Sequence, residues 1–289
     1  MKQEYSFHKA VFYTLISCLG FALMSFFIRQ SGNLPVMQKA FFRNFVALII
    51  SAASLLSSRQ SIRWKKGNGA GLLARCAFGT AGLLANFWAV DHMVLADANM
   101  LNKMSPFFAI LMSIPVLKEY PSEKDVILTA IAFLGVVCIV RPSAGLASFP
   151  AFVGLFSGFS AGTAYTFLRE ITTNGEDGKV IVFCFSLFSC LCTLPSLLFD
   201  YRAMTGSQLL SLFLAGASAA AAQFAVTAAY RYAPAKDVSV FNYSQVLFAA
   251  VIGWLFLQEV PDAMSFLGYA IIIGASFFKW MDAREENTQ

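Results

Sequence analysis

Ten runs of mainly apolar residues, approximately 8–28, 35–57, 70–91, 97–118, 124–141, 148–168, 179–199, 207–230, 237–258 and 262–281, divide the chain almost end to end. About 20 such residues are needed for a helix to cross the hydrocarbon core of a bilayer. The run 124–141 is the shortest. Polar punctuation between the runs is brief, as in Gly32-Asn33-Leu34-Pro35, Glu119-Tyr120-Pro121-Ser122 and Asn174-Gly175-Glu176-Asp177-Gly178. No room is left for a soluble domain. Because a segment in lipid must satisfy its backbone internally, the expected fold is all-α and integral to the membrane, with ten transmembrane helices. Composition agrees: 58% of the 289 residues are hydrophobic and 13% charged, against about 45–50% and 25% in soluble domains. A soluble enzyme, a nucleic-acid binder and a disordered scaffold are excluded, so the surrounding partner is the lipid bilayer and no nucleic acid is expected.

The formal net charge of +5 is best read as sidedness. With the N-terminus inside, the inner segments carry fourteen Lys and Arg and the outer loops only Arg29, Lys39, Arg141 and Arg202. Short loops rich in basic residues stay in the cytoplasm. Both termini are therefore expected there, in a multi-pass protein of the inner, cytoplasmic membrane, with loop 59–66 inside and loop 91–97 outside. The first run ends in Phe26-Phe27-Ile28-Arg29 without a small-residue cleavage site, which fits a retained span rather than a signal peptide. All six Cys lie in apolar runs without CxxC spacing, and only two His are present. They read as small hydrophobes, with no zinc or haem site and no cofactor.

Shifted by 140 residues, the stretch 97–135 aligns with 237–275 without a gap. Asp97/Asp237, Asn102/Asn242, Leu117/Leu257, Glu119/Glu259 and Pro121/Pro261 are among the nine identical positions. Apolar helices match by accident, but Asp, Asn, Glu and Pro in register do not. The chain is accordingly divided into residues 1–142 and 143–289, each holding five spans. An odd number of spans places the second repeat in the membrane inverted relative to the first. Inverted repeats are a construction of alternating-access transporters, with the substrate site near the midplane between halves.

The same residues carry a family resemblance. The stretch from Leu95 through Asp97, Asn99, Asn102, Lys103 and Pro106 to Phe108, closed by Leu117-Lys118-Glu119, resembles the fourth span of an EamA-type transporter. Its echo, Asp237 to Asn242 and on through Leu257-Gln258-Glu259, is similar to the ninth. The resemblance covers essentially the whole chain. It implies the drug/metabolite transporter architecture of ten spans in two five-helix repeats, and a job of moving amino acids or other metabolites. One departure stands out: Val246 occupies the place of Pro106, which argues against a hinge shared by both repeats.

Gly158-Phe159-Ser160-Ala161-Gly162 matches the G-x-S-x-G of serine hydrolases. That motif needs a strand-to-helix turn and a nearby base, whereas here it sits inside a span, with His8 and His92 both away from mid-membrane. Gly154, Gly158 and Gly162 instead form a small-residue face for close helix packing. All 16 acidic residues fall in loops or at span ends. A mid-membrane carboxylate of the kind common in proton-coupled pumps and exporters of lipophilic cations is therefore not expected.

Three basic residues lie inside spans: Arg43, Arg75 and Lys103. Arg43 is about 12 Å below Pro35 and Lys103 about 9 Å below Asp97, at 1.5 Å per residue, so the two share a depth in the outer half. The alternative for each is snorkelling to the headgroups, and Arg75, close to the inner end, is expected to snorkel. Asn99, Asn102, Lys103 and Pro106 share one helical face, and a polar face avoids lipid. Matching faces are Ser239, Asn242 and Gln245 with Tyr243 adjacent, Gln223 with Thr227 and Tyr230, and Gly79 with Gly82 and Asn86. The expected substrate contacts are Arg43, Asn86, Trp88, Asn99, Asn102, Lys103, Tyr165, Gln223, Asn242 and Tyr243, though each amide could equally be interhelical glue. The reading that follows is a carrier of a small-molecule substrate, an anionic or zwitterionic metabolite, by export or exchange. A multidrug or cation carrier of the same fold, an intramembrane enzyme and a receptor or scaffold are the alternatives. Oligomeric state is left open, a monomer included.

Overall fold

The computed structural model describes residues 5–58, 63–92, 95–141, 148–258 and 261–286. Helices dominate it: α1 (Phe7–Gln30), α2 (Val36–Ser57), α3 (Gly69–His92), α4 (Leu95–Asn102), α5 (Ser105–Leu117), α6 (Glu123–Val140), α7 (Phe149–Thr173), α8 (Gly178–Phe199), α9 (Gly206–Tyr232), α10 (Ala235–Val238), α11 (Ser244–Leu257) and α12 (Ala263–Glu286), with a 3₁₀ turn at Val240–Tyr243 between α10 and α11. Among the described residues nine helical segments are long and apolar enough to cross a membrane. The expected run 124–141 corresponds to α6, which is not one of the nine. Its 18 residues open with Glu123, Lys124 and Asp125 inside a capping box built on Ser122, and that charged first turn shortens its apolar length. Loop residues 59–62 and 93–94, and Glu259 of the repeat alignment, lie outside the described residues.

The main helix pairs are α1 with α9, α2 with α8, α3 with α7, and α6 with α12. Each joins residues 1–142 to residues 143–289, so the core lies at the seam between the two halves. Phe7, Phe241 and Ala283 pack in one cluster, which brings the start of α1 and the end of α12 to the same side. Toward that side a larger core gathers Leu72, Ile110, Leu168, Ile171, Val226 and Tyr230. There Lys279 is 5% exposed and bonds Asp125 and, at 3.3 Å, Asp237. Tyr5 donates to the other oxygen of Asp237 at 2.9 Å.

The expected continuous helices 97–118 and 237–258 are both interrupted. The first breaks at Lys103–Met104, the second in the 3₁₀ turn ending at Tyr243. The 140-residue shift carries one break onto the other. In the first half Pro106, at the start of α5, has no N–H to return to the preceding turn, and a tighter bond from Met104 N to Leu101 O at 3.1 Å takes over. Val246 stands where the first half has Pro106, and the chain is nonetheless interrupted at the equivalent place. There the carbonyls of Phe241 and Asn242, which accept from the Ser244 N–H, also face the Cys18 thiol of α1 at 3.6 Å. The second interruption thus forms without a proline, packed against α1.

Glycines bring α7 close to the first break. A Cβ on Gly158 would sit 2.6 Å from the Leu101 carbonyl, and one on Gly162 would sit 2.6 Å from that of Ser105. Only hydrogen at these positions allows backbone to lie against backbone. Asn102 Nδ2 then reaches Ser157 Oγ at 3.0 Å.

Candidate functional site

The two breaks face a cavity of about 210 Å³ at the seam. Arg43, Asn86, Asn99, Asn102, Lys103, Tyr165, Gln223 and Asn242 line it, so the structure brings together eight of the ten residues singled out in the sequence. Trp88 and Tyr243 stand apart from it. Trp88 stacks on His92 with ring centroids 3.9 Å apart and meets Phe149 edge-on. Tyr243 is fully buried among Met100, Val136 and Ile272 and tilts against Phe133. Adjacent residues of a 3₁₀ turn diverge by about a third of a turn, so Asn242 faces the cavity while its neighbour faces the core.

Arg75 also lines the cavity and corrects the snorkelling expectation: it is 3% exposed. Its Nη2 donates to Gln223 Oε1 at 3.0 Å, and its guanidinium lies 4.4 Å from the Phe185 ring centre and 6.0 Å from that of Tyr165. Gly79 makes the room, because a Cβ there would collide with Arg75 and Phe185. A signal for this was present. Arg75, Gly79, Gly82 and Asn86 recur at i, i+4, i+7 and i+11, so the glycine face extended one turn back reaches Arg75. Gln245, omitted from the expected contacts, accepts from Lys103 Nζ at 2.6 Å.

Arg43 is 4% exposed, with Nε 2.8 Å from Met24 Sδ and Nη1 3.4 Å from Asn44 Oδ1. Three cations thus enter one cavity from α2, α3 and the α4–α5 break. Their named side-chain partners are amides, a thioether and aromatic faces, all uncharged. Among the described residues that line the cavity none is Asp or Glu. Buried or partly buried carboxylates instead pair nearer the chain ends, Asp125 and Asp237 with Lys279 and Glu119 with Arg169 at 3.2 Å, while the exposed Asp262 pairs with Arg141 at the opposite end of α6. Tyr165 stacks on Tyr230, 5.3 Å between centroids, where the cavity meets the core nearer the termini.

Ser160 is buried within α7, and the Gly158–Gly162 segment packs on the α4–α5 break. The motif serves helix contact.

Comparison with known proteins agrees with this architecture. The pseudopaline exporter CntI of Pseudomonas aeruginosa is 31% identical over 273 residues, covering 92% of this chain and 93% of that protein. A riboflavin transporter of Brucella anthropi is 24% identical, covering 91% and 95%. A crystal structure of another protein superposes with a TM-score of 0.85 at 15% identity, over 97% of this chain and 99% of that one, and shows the fold alone. The sequence pattern of the EamA-like transporter family fits residues 8–141 and again 148–280, so the chain, a membrane transporter built on two such repeats, belongs to that family.

Proposed function

We propose that this transporter is a secondary carrier that moves a small anionic or zwitterionic metabolite, such as an amino acid or related carboxylate, across the cytoplasmic membrane by alternating access. The observation that carries this reading is the set of three cations in the cavity with uncharged side-chain partners. An unpaired buried charge costs several kcal/mol, and a substrate carboxylate would relieve that cost on binding. Arg43, Asn86, Asn99, Asn102, Lys103, Tyr165, Gln223 and Asn242 are the proposed contacts. Export or exchange is the proposed direction, supported by the name of the pseudopaline exporter relative.

In this reading α6 is the tenth span, residues 1–142 and 143–289 are inverted repeats, and both termini are cytoplasmic. Half-helices meeting at a seam let one end of the cavity open as the other closes. Proteoliposomes loaded with labelled amino acids, organic acids and lipophilic cations provide the test. Saturable movement of anions or zwitterions is expected. Movement of lipophilic cations alone would overturn the proposal and leave the multidrug reading. For sidedness, a single cysteine at position 65 in a Cys-free background should resist an impermeant thiol reagent in intact cells, and labelling from outside would reverse the assigned orientation.

A further inference from the structure

We propose that the cavity selects solutes bearing at least two, and best three, anionic groups, and that Arg75 supplies the contact separating such solutes from simple amino acids. This inference rests on reading the cavity as the substrate site. It starts from a charge count. A zwitterion brings one carboxylate and one ammonium, so its net charge is zero and three cavity cations stay uncompensated. A monocarboxylate leaves two. Only a multiply charged acid brings the site near neutrality, and the described lining residues include no Asp or Glu to welcome an ammonium group.

Placement agrees with the count. Lys103 sits at the α4–α5 break beside Gln245 of α11, Arg43 on α2 beside Met24 of α1, and Arg75 on α3 beside Gln223 of α9. The cations thus enter the cavity from three separate elements, so a ligand with several anionic groups can meet more than one at once. Two of the three are guanidinium groups, whose planar fork matches a carboxylate or phosphate in a bidentate way that an ammonium does not.

Arg75 has a further feature. Its Nε is buried without a hydrogen-bond partner, and so is Oδ1 of Asn86, eleven residues along the same helical face. Buried polar atoms are normally satisfied, and an acid carrying a hydroxyl or amide N–H could meet both. The guanidinium carbon lies over the rings of Phe185 and Tyr165, 4.4 and 6.0 Å from their centres, so these two neighbours offer it no anionic partner.

The test uses purified full-length protein and a ligand series on one carbon skeleton: butanoate, glutarate and propane-1,2,3-tricarboxylate, with glycerol 3-phosphate as the phosphate arm and glutamate as the zwitterion arm. Binding is read by calorimetry at fixed ionic strength. Each charge-assisted contact should tighten Kd about 10- to 100-fold, giving tricarboxylate over dicarboxylate over monocarboxylate, with glutamate below glutarate. Glycerol 3-phosphate, a single group of up to two charges, should bind no more tightly than glutarate, and binding as tight as the tricarboxylate would overturn the count of anionic groups in favour of a phosphate site. Equal affinities for butanoate, glutarate and the tricarboxylate in the wild-type protein would overturn the inference without any variant.

Arg75→Gln should remove most of the gain from the added carboxylates while changing butanoate binding less than threefold. Arg75→Lys should restore part of it. If both variants weaken every ligand alike, Arg75 only supports the cavity wall and its selective role is lost. Transport separates this inference from the reading beneath it. Movement of amino acids with the same affinity as polycarboxylates defeats the charge count alone, whereas movement of cations with no anion binding defeats the anionic site itself.

Discussion

The two interrupted helices occupy equivalent places in the two halves, yet they are held open by different means. The α4–α5 break has Pro106 to disfavour a continuous helix and the glycines of α7 to receive it backbone to backbone. The α10–α11 break has no proline, but a thiol from α1 lies against its carbonyls, and Asp237 just before it is anchored by Lys279 and Tyr5. The cavity-facing chemistry differs as well. At the position where the first break presents Lys103, the second turns Tyr243 into the core. An internal repeat therefore preserves where a helix breaks more faithfully than why it breaks or what it displays.

The largest expected effect separates the two anchors. Lys279→Met leaves Asp125 and Asp237 buried without their cation, and removing one partner of a buried pair costs about 3–5 kcal/mol. Thermal unfolding in detergent should show it as a large drop in Tm. Lys103→Met removes a cation whose named partner is a neutral amide and should lower Tm far less while weakening anion binding. Equal losses of stability would mean that the two breaks are held in the same way.

Next comes the packing contrast. Gly158→Ala forces a methyl group onto the Leu101 carbonyl, and overpacking of this kind costs about 1–3 kcal/mol. Cys18→Ala gives up only weak thiol contacts and should change Tm by less than a third as much. A well-folded, fully stable Gly158→Ala protein would show that close approach of α7 is not what supports the first break.

The matched asparagines sharpen the comparison further. Asn102→Ala deletes a hydrogen bond to Ser157 between α4 and α7 and should cost about 0.5–1.5 kcal/mol, measurable by chemical denaturation. Asn242→Ala should have little effect on stability, with a modest loss of ligand affinity. The reverse order would exchange the structural and ligand-facing roles given to the pair.

The smallest change is expected at Tyr243. Its hydroxyl is buried without a hydrogen-bond partner, so Tyr243→Phe removes an unsatisfied group and should be neutral or stabilising by up to about 1 kcal/mol. Its ligand affinity should match wild type. A clear loss of binding would return Tyr243 to the cavity.

Much of this was legible in the chain. Local hydropathy placed nine of the ten expected spans among the described residues, because each must hide its own backbone in lipid whatever its neighbours do. The in-register Asp, Asn, Glu and Pro located the repeat, and the polar face of Asn99, Asn102 and Lys103 pointed at a cavity before any neighbour was known. What periodicity could not decide is which of two adjacent side chains turns inward once a helix breaks, as at Asn242 and Tyr243, since a break resets the angular phase that such arguments depend on. Nor could depth along one helix reveal that Arg75 turns inward. That choice belongs to Phe185 and Gln223, more than a hundred residues away, which offer the guanidinium a ring face and an amide. Sequence determined the membrane class, the repeat and the polar faces because those follow from each segment's own contact with lipid or water. The tertiary structure decided the breaks, the partners that hold Arg75 inward along the glycine face it shares, and the buried Lys279 cluster, because these depend on groups that only the packed halves bring together.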